Sequence, residues 1–164
     1  MKPQMIKVLT TSAGILSGLR SHFVSSFAAS YALTSAGASK AMTAAEEEAG
    51  ANGWKTCIVV CDAGGVPLQL HRNTIPAAAE VAMGKARTAA LFGRPTADLE
   101  EAANVADGAA RTALLSAPEQ FVFMRGGVPI MKNGQCVGAV GVSGVLAEQD
   151  EQIALAGVGA LAVG

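Results

Sequence analysis

Aromatic side chains are scarce in this chain, with one Trp, one Tyr and five Phe among 164 residues. Its core must therefore be built from Ala, Val, Leu and Ile, with glycine allowing close approach. Such a core is thin for its surface, and self-association is the expected supplement. Histidine is rarer still, at His22 and His71 only, so a zinc site of ordinary ligand spacing is not expected. Three cysteines, an odd number, describe no disulfide framework. Cys57 and Cys61 fall four residues apart on one expected strand, about 13 Å at ~3.3 Å per residue, which is too far to bridge. No run approaches the roughly 20 apolar residues of a spanning helix, because the best stretch is broken at Arg20 and His22. A Walker sequence, a Gly-x-Gly-x-x-Gly turn after a strand and a Gly-x-Ser-x-Gly elbow are all missing, so nothing supports nucleotide binding or hydrolase chemistry of those kinds.

Charge is distributed unevenly. The net value of −1 gives no reason to expect a nucleic-acid partner, which would need clustered Lys and Arg. Yet residues 1–45 carry Lys2, Lys7, Arg20 and Lys40 and no acid, leaving eight basic and thirteen acidic residues in the remainder. Residues 1–33 read as a basic, acid-free arm in front of a domain at 34–164. The arm's stripe of Leu16, Leu19, Phe23, Phe27 and Tyr31 suits an amphipathic helix. With its Ser and Thr content it resembles an organellar targeting segment, mitochondrial or plastid; otherwise the chain is cytoplasmic. Such an arm would order only on a partner subunit or a membrane surface.

Periodicity and turn residues divide the domain. Thr34 or Ser35 caps a helix running through Asn52 to a stop at Gly53. Strands follow at 54–62 and 66–72 around Ala63-Gly64-Gly65. Pro76 opens a second helix to Phe92, ended by Gly93 and Pro95. Thr96 caps a short third helix, and residues 109–116 read as a further helical piece. Strands are then expected at 120–124, 128–132 and 135–142, the last two joined by Asn133-Gly134. Acids at 148–151 open a C-terminal helix. Tight hairpins require antiparallel pairing, so the expected fold is α+β, with helices packed on a sheet of about five antiparallel strands.

Chemistry is expected at a few positions. With a loop at 63–65, Cys57 faces His71 across the hairpin, a pair suited to a soft metal or haem iron; a one-residue slip destroys it. Val81, Lys85, Thr88 and Phe92 share one helical face. A lysine in an apolar stripe either snorkels to water or meets an anion in a pocket, where Thr88 would offer a hydroxyl to the same ligand. Asp62, beside a glycine turn, either bonds the turn amides or serves a ligand. Gly138, Gly141 and Gly144 punctuate the last strand and mark close approach of a backbone or a ligand. Glu46, Glu47 and Glu48 point in different directions and read as a solvated face.

The segments CIVVCDAGGVPLQLHR, AMGKARTAALFGRPT and RGGVPIMKNGQCVGAVGVSGVLAEQDE occur in that order. Together they resemble the GlcG/HbpS family, which includes the C-terminal domain of PduO-type proteins. The resemblance implies a profilin-like α+β fold and homo-oligomers. It also implies that some members bind haem or sense redox state, while others accompany cobalamin or glycolate metabolism with no assigned reaction. Members commonly read Arg-Met-Asp after the second strand; here Arg72-Asn73-Thr74 removes an acid from the pocket rim. Two readings follow. One is a small-molecule-binding module for haem or another anionic tetrapyrrole, with Asp62, Arg72, Lys85, Thr88, Gly141 and Ser143 at the ligand. The other is a catalytically silent accessory subunit of a larger, possibly organellar assembly, docked by its arm. A third, an enzyme on a hydroxy acid, draws only on the family's metabolic associations, and no residue is assigned a catalytic role.

Overall fold

The computed structural model describes residues 29–104 and 120–161. The first helix, α1 (Ser35–Ala51), starts where Thr34 Oγ1 accepts from the Gly37 amide at 3.1 Å. Ala38, Ala41, Met42, Ala45 and Ala49 form its buried stripe, the helical spacing of a core-facing surface. The chain reverses at Gly53 in the left-handed region, φ +68°.

Strands β1 (Cys57–Asp62) and β2 (Pro67–Arg72) form the first hairpin; β3 (Gly127–Lys132) and β4 (Gln135–Ser143) form the second. The sheet order is β2-β1-β4-β3 and every pairing is antiparallel. Asn133 at φ +50° and Gly134 at φ +79° make the two-residue turn between β3 and β4, the mirror-image turn whose twist matches the strands. On one face lie α1 and α4 (Ala147–Gly159), enclosing Ile58, Val60, Val128, Ile130, Val140, Val142 and Ile153. On the other lies α2 (Ala77–Phe92), whose Ala78, Ala82, Ala86, Ala89 and Ala90 pack on Cys57, Val59, Cys61 and Ala139. A short α3 (Thr96–Ala103) follows.

Alanine and glycine set the spacing between α2 and the sheet. A Cβ on Gly141 would stand 2.3 Å from the Ala82 carbonyl oxygen and 2.4 Å from the Ala86 nitrogen, so helix backbone and strand backbone touch directly. The thin core expected from composition is therefore real on this face.

The α+β expectation holds, with four strands rather than five among the described residues. Residues 120–124 do not join the sheet. The Val122 amide is taken instead by Thr88 Oγ1 of α2 at 2.8 Å, and the Arg125 amide by Glu100 of α3. With its donors answered by side chains, this stretch runs beside α2 and leads through Gly126, φ +116°, into β3. The arm stripe from Leu16 to Phe27 and the helical piece expected at 109–116 lie outside the described residues. No described helix is long and apolar enough to cross a membrane.

Candidate functional site

Cys57 and His71 are not a pair. The loop at 63–65 forms as expected, closed by the Asp62 amide donating to the Val66 carbonyl at 3.0 Å. A bulge then leaves Leu68 unmatched: Cys61 pairs with Pro67 but Val60 with Gln69. This one extra residue slides the register, so Cys57 faces Arg72 and His71 faces Ile58. Consecutive strand positions lie on opposite faces. Cys57 is sealed under α2, whereas His71 is exposed and pairs with Glu46 of α1. Among the described residues no three His, Cys, Asp or Glu side chains converge as a metal site.

Lys85 does meet an anion, but an internal one. Its Nζ donates to Asp150 Oδ2 at 2.8 Å, and the two side chains are 1% and 3% exposed. Asp150 belongs to the first turn of α4, on the opposite face of the sheet, and its Oδ1 also accepts from the Val145 amide at 3.3 Å. The bridge passes where β3 begins. A Cβ on Gly126 would lie 2.9 Å from Lys85 Nζ and 2.8 Å from Asp150 Cβ, and one on Gly127 would lie 2.5 Å from the Lys85 carbonyl oxygen. The two glycines thus leave room for a lysine to cross the end of the sheet. Burial pushes the Asp150 carboxyl above its ordinary value, against the hydrogen bond and charge of Lys85, which pull it down.

The other expected ligand positions are also occupied internally. Thr88, fully buried, donates to the Gly84 carbonyl at 2.7 Å while accepting from Val122. Gly141 is closed by α2. Asp62 Oδ1 accepts from the amides of Gly64 and Val66, each at 2.9 Å, the turn-bonding role that its setting suggested. Arg72 donates to the Thr74 carbonyl at the far end of β2, and Ser143 sits opposite Cys57 at the end of β4. Lys85, Thr88 and Gly141 are thus buried and engaged internally, whereas Arg72 and Ser143 flank Cys57 from the two neighbouring strands.

A groove lies elsewhere around the same helix, with Met83 and Arg87 close to half a turn from Lys85. Glu80, Val81, Met83, Gly84 and Arg87 of α2, with Gln120 and Val122 of the flanking stretch, line a groove of about 330 Å³. Gly84 creates it: a Cβ there would be 2.3 Å from Val122 Cγ2, so glycine lets Val122 seat against the helix as a floor. Arg87 borders the groove with its stem stacked on Gly65, whose added Cβ would be 2.7 Å from Arg87 Cγ. Valine and methionine side chains, a guanidinium, an amide and a carboxylate thus share one groove. Sequence reasoning missed Arg87 and Met83 because they lie off the Lys85 stripe. The available signal was Gly84, a mid-helix glycine that costs about 1 kcal/mol and calls for a packing reason.

Both cysteines of β1 face the α2 layer and are unsuited to thiolate chemistry. Burial raises the Cys57 thiol, and it pushes Cys61 up to about 12.

The fold is that of a small α+β domain, with one helical layer on each face of an antiparallel sheet. Residues 33–159 match the family model described as haem degrading protein HbpS-like, and the chain belongs to that family. Protein GlcG of Escherichia coli strain K12 is 45% identical over 108 residues, covering 65% of this chain and 77% of that protein. The crystal structure of HbpS aligns with TM-score 0.74 at 31% identity, covering 85% of this chain and 95% of that one. The crystal structure of the PduOC:heme complex aligns with TM-score 0.74 at 26% identity, covering 82% and 98%.

Proposed function

We propose that this domain binds haem or another anionic tetrapyrrole in the groove between α2 and residues 120–122. The observation that carries the reading is a cation at the edge of an apolar floor, Arg87 beside Val81, Met83 and Val122. A relative of the same fold is a haem complex, which supports the ligand class.

The donor set fits the ligand in parts. Arg87 supplies a planar, permanently charged partner for a carboxylate substituent. The valines and Met83 supply the apolar surface for a ring face, and the Met83 thioether is a ligand type that haem iron accepts. His71 is directed to the α1 face and takes no part. At about 330 Å³ the groove lies at the low end of the roughly 300–1,000 Å³ usual for ligand pockets, so it holds one edge of a macrocycle and leaves the other outside. Bound haem would supply iron redox chemistry. The chain's own part is to hold the ring and pair its carboxylate.

Titration of the purified protein with haemin, followed by absorption, tests this. Saturable binding is expected. Arg87→Glu should weaken it at least about tenfold, since a charge-assisted hydrogen bond is worth about 1.5–3 kcal/mol and tenfold is about 1.4. His71→Ala should leave it unchanged. Binding that ignores Arg87→Glu, or that needs His71, would overturn the site.

A further inference from the structure

Both ends of the described chain meet at one trough. Tyr31, Leu33, Ile130, Met131, Val137 and Leu161 line a hollow of about 240 Å³ between the segment before α1, the end of β3 and the end of α4. Ile130, Met131 and Leu161 also border a second hollow of about 220 Å³, completed by Pro129 and Val158. The floor is core: Ile130 and Val137 are buried in the cluster beneath α1 and α4, and Leu33, Val158 and Leu161 pack against it. Met131 and Tyr31, at the rim, remain 48% and 46% exposed. An apolar opening of this kind marks an interaction site.

The chain itself runs to the rim of this trough. Gln135 holds the backbone of Tyr31, its Oε1 accepting from the Tyr31 amide at 3.0 Å and its Nε2 donating to the Tyr31 carbonyl at 3.4 Å. Asn133 donates to the Tyr31 hydroxyl at 2.9 Å. Tyr31 is the last residue of the apolar stripe read from the arm, and Phe27 precedes it by four residues. Four residues reach at most about 14 Å, so a pinned Tyr31 keeps Phe27 near the rim. Phe23 follows one helical turn further, about 6 Å along the axis. Tethering selects the occupant, because a segment on a short linker sees its site at millimolar effective concentration. Charge agrees. Among the described residues lining either hollow, Lys132 alone is charged. Residues 23–28, Phe-Val-Ser-Ser-Phe-Ala, carry no charge, whereas Lys2, Lys7 and Arg20 all lie before them.

We propose that residues 23–28 fold back onto this trough of their own domain, with Phe27 against Met131 and Phe23 toward Leu161. The domain is then the surface on which the arm orders, in place of a partner subunit or a membrane. This docking is independent of the groove beside α2 and of whether that groove takes a ligand.

Oxidative cross-linking of the full chain in a Cys136→Ser background is the test, combined with limited proteolysis. Phe27→Cys with Met131→Cys, and Phe23→Cys with Leu161→Cys, bring thiols together only if the arm is seated, since a bridge needs Cβ atoms about 3.5–4.5 Å apart. At least one pair should give an intrachain disulfide that stays at monomer mass on a non-reducing gel. Phe27→Cys with Leu68→Cys, exposed on the far edge strand β2, should give none. Chymotrypsin should cut the parent chain after Phe23 and Phe27 at least about tenfold more slowly than a free peptide of residues 1–33, because cleavage tracks the population of undocked arm. Met131→Lys should remove most of that protection with an unchanged far-ultraviolet circular dichroism spectrum; should it fail to fold, the cross-links decide. No disulfide from either pair, with cleavage at the free-peptide rate, would overturn the proposal. Disulfides formed only between chains would assign the trough to a second copy, and protection that needs anionic lipid vesicles would assign the arm to a membrane; either result overturns it too.

Discussion

Replacing Lys85 by methionine keeps the side-chain stem but leaves Asp150 as an uncompensated charge in a site 3% exposed. Removing one partner of a buried pair costs about 3–5 kcal/mol. For a chain of this size each kcal/mol lowers Tm by about 2–4 °C, so a fall of roughly 6–20 °C is expected. Adding Asp150→Asn removes the stranded charge while keeping an acceptor for the Val145 amide, and the double variant should recover more than half of the loss. The pH dependence has a definite sign. The folded-state carboxyl of Asp150 is raised above its ordinary 3.8. Its contribution to stability is therefore fully present below that ordinary value and is lost as pH rises through the folded value. Without Lys85 the opposing pull disappears and the folded value climbs further. The deficit of Lys85→Met against the parent should then be smaller near about pH 4 than near about pH 7. Urea unfolding followed by circular dichroism at the two pH values measures it. A deficit below about 1 kcal/mol, or a double variant no better than the single, would refute the reasoning, since it would place the pair in water rather than inside.

Three further outcomes follow from the packing. Gly141→Ala forces a methyl into helix backbone 2.3 Å away and should cost at least about 1–3 kcal/mol by overpacking, read from thermal unfolding. Thr88→Val deprives the Val122 amide of its acceptor and should cost about 1–3 kcal/mol, with faster hydrogen exchange at Val122; Thr88→Ser should restore both. In native protein at mildly alkaline pH, iodoacetamide should label Cys136, which is half-buried, well before Cys57 or Cys61, because burial disfavours both β1 thiolates; mass spectrometry of the peptides gives the order.

The parts of this fold legible in sequence were those set by local chemistry. Thr34, Gly53, Gly93 and Asn133-Gly134 act through their own backbone and nearest neighbours, and the structure has each in its expected role. The parts that were not legible depend on distant partners. The hairpin loop at 63–65 formed as read, but nothing local announces the bulge at Leu68, and that single residue separates Cys57 from His71. Residues 120–124 have strand-like composition, yet Thr88, 34 residues away in sequence from Val122, removes the donor a strand would have used. The anion for Lys85 lies 65 residues on, in α4, and an apolar stripe on α2 cannot distinguish a ligand carboxylate from a carboxylate of the chain itself. The groove escaped notice for a related reason: Arg87 points away from the stripe, and only the packing of Val122 on Gly84 shows that this flank of the helix is hollow.

Hydrogen exchange with and without haemin tests the central claim most directly, because it reports where a ligand acts as well as whether it binds. Slower exchange confined to peptides spanning residues 80–88 and 120–123 is the predicted result. Saturable binding with protection elsewhere, for example at residues 31–34 and 130–137, which line a separate groove of about 240 Å³, would contradict it, and so would no saturable binding.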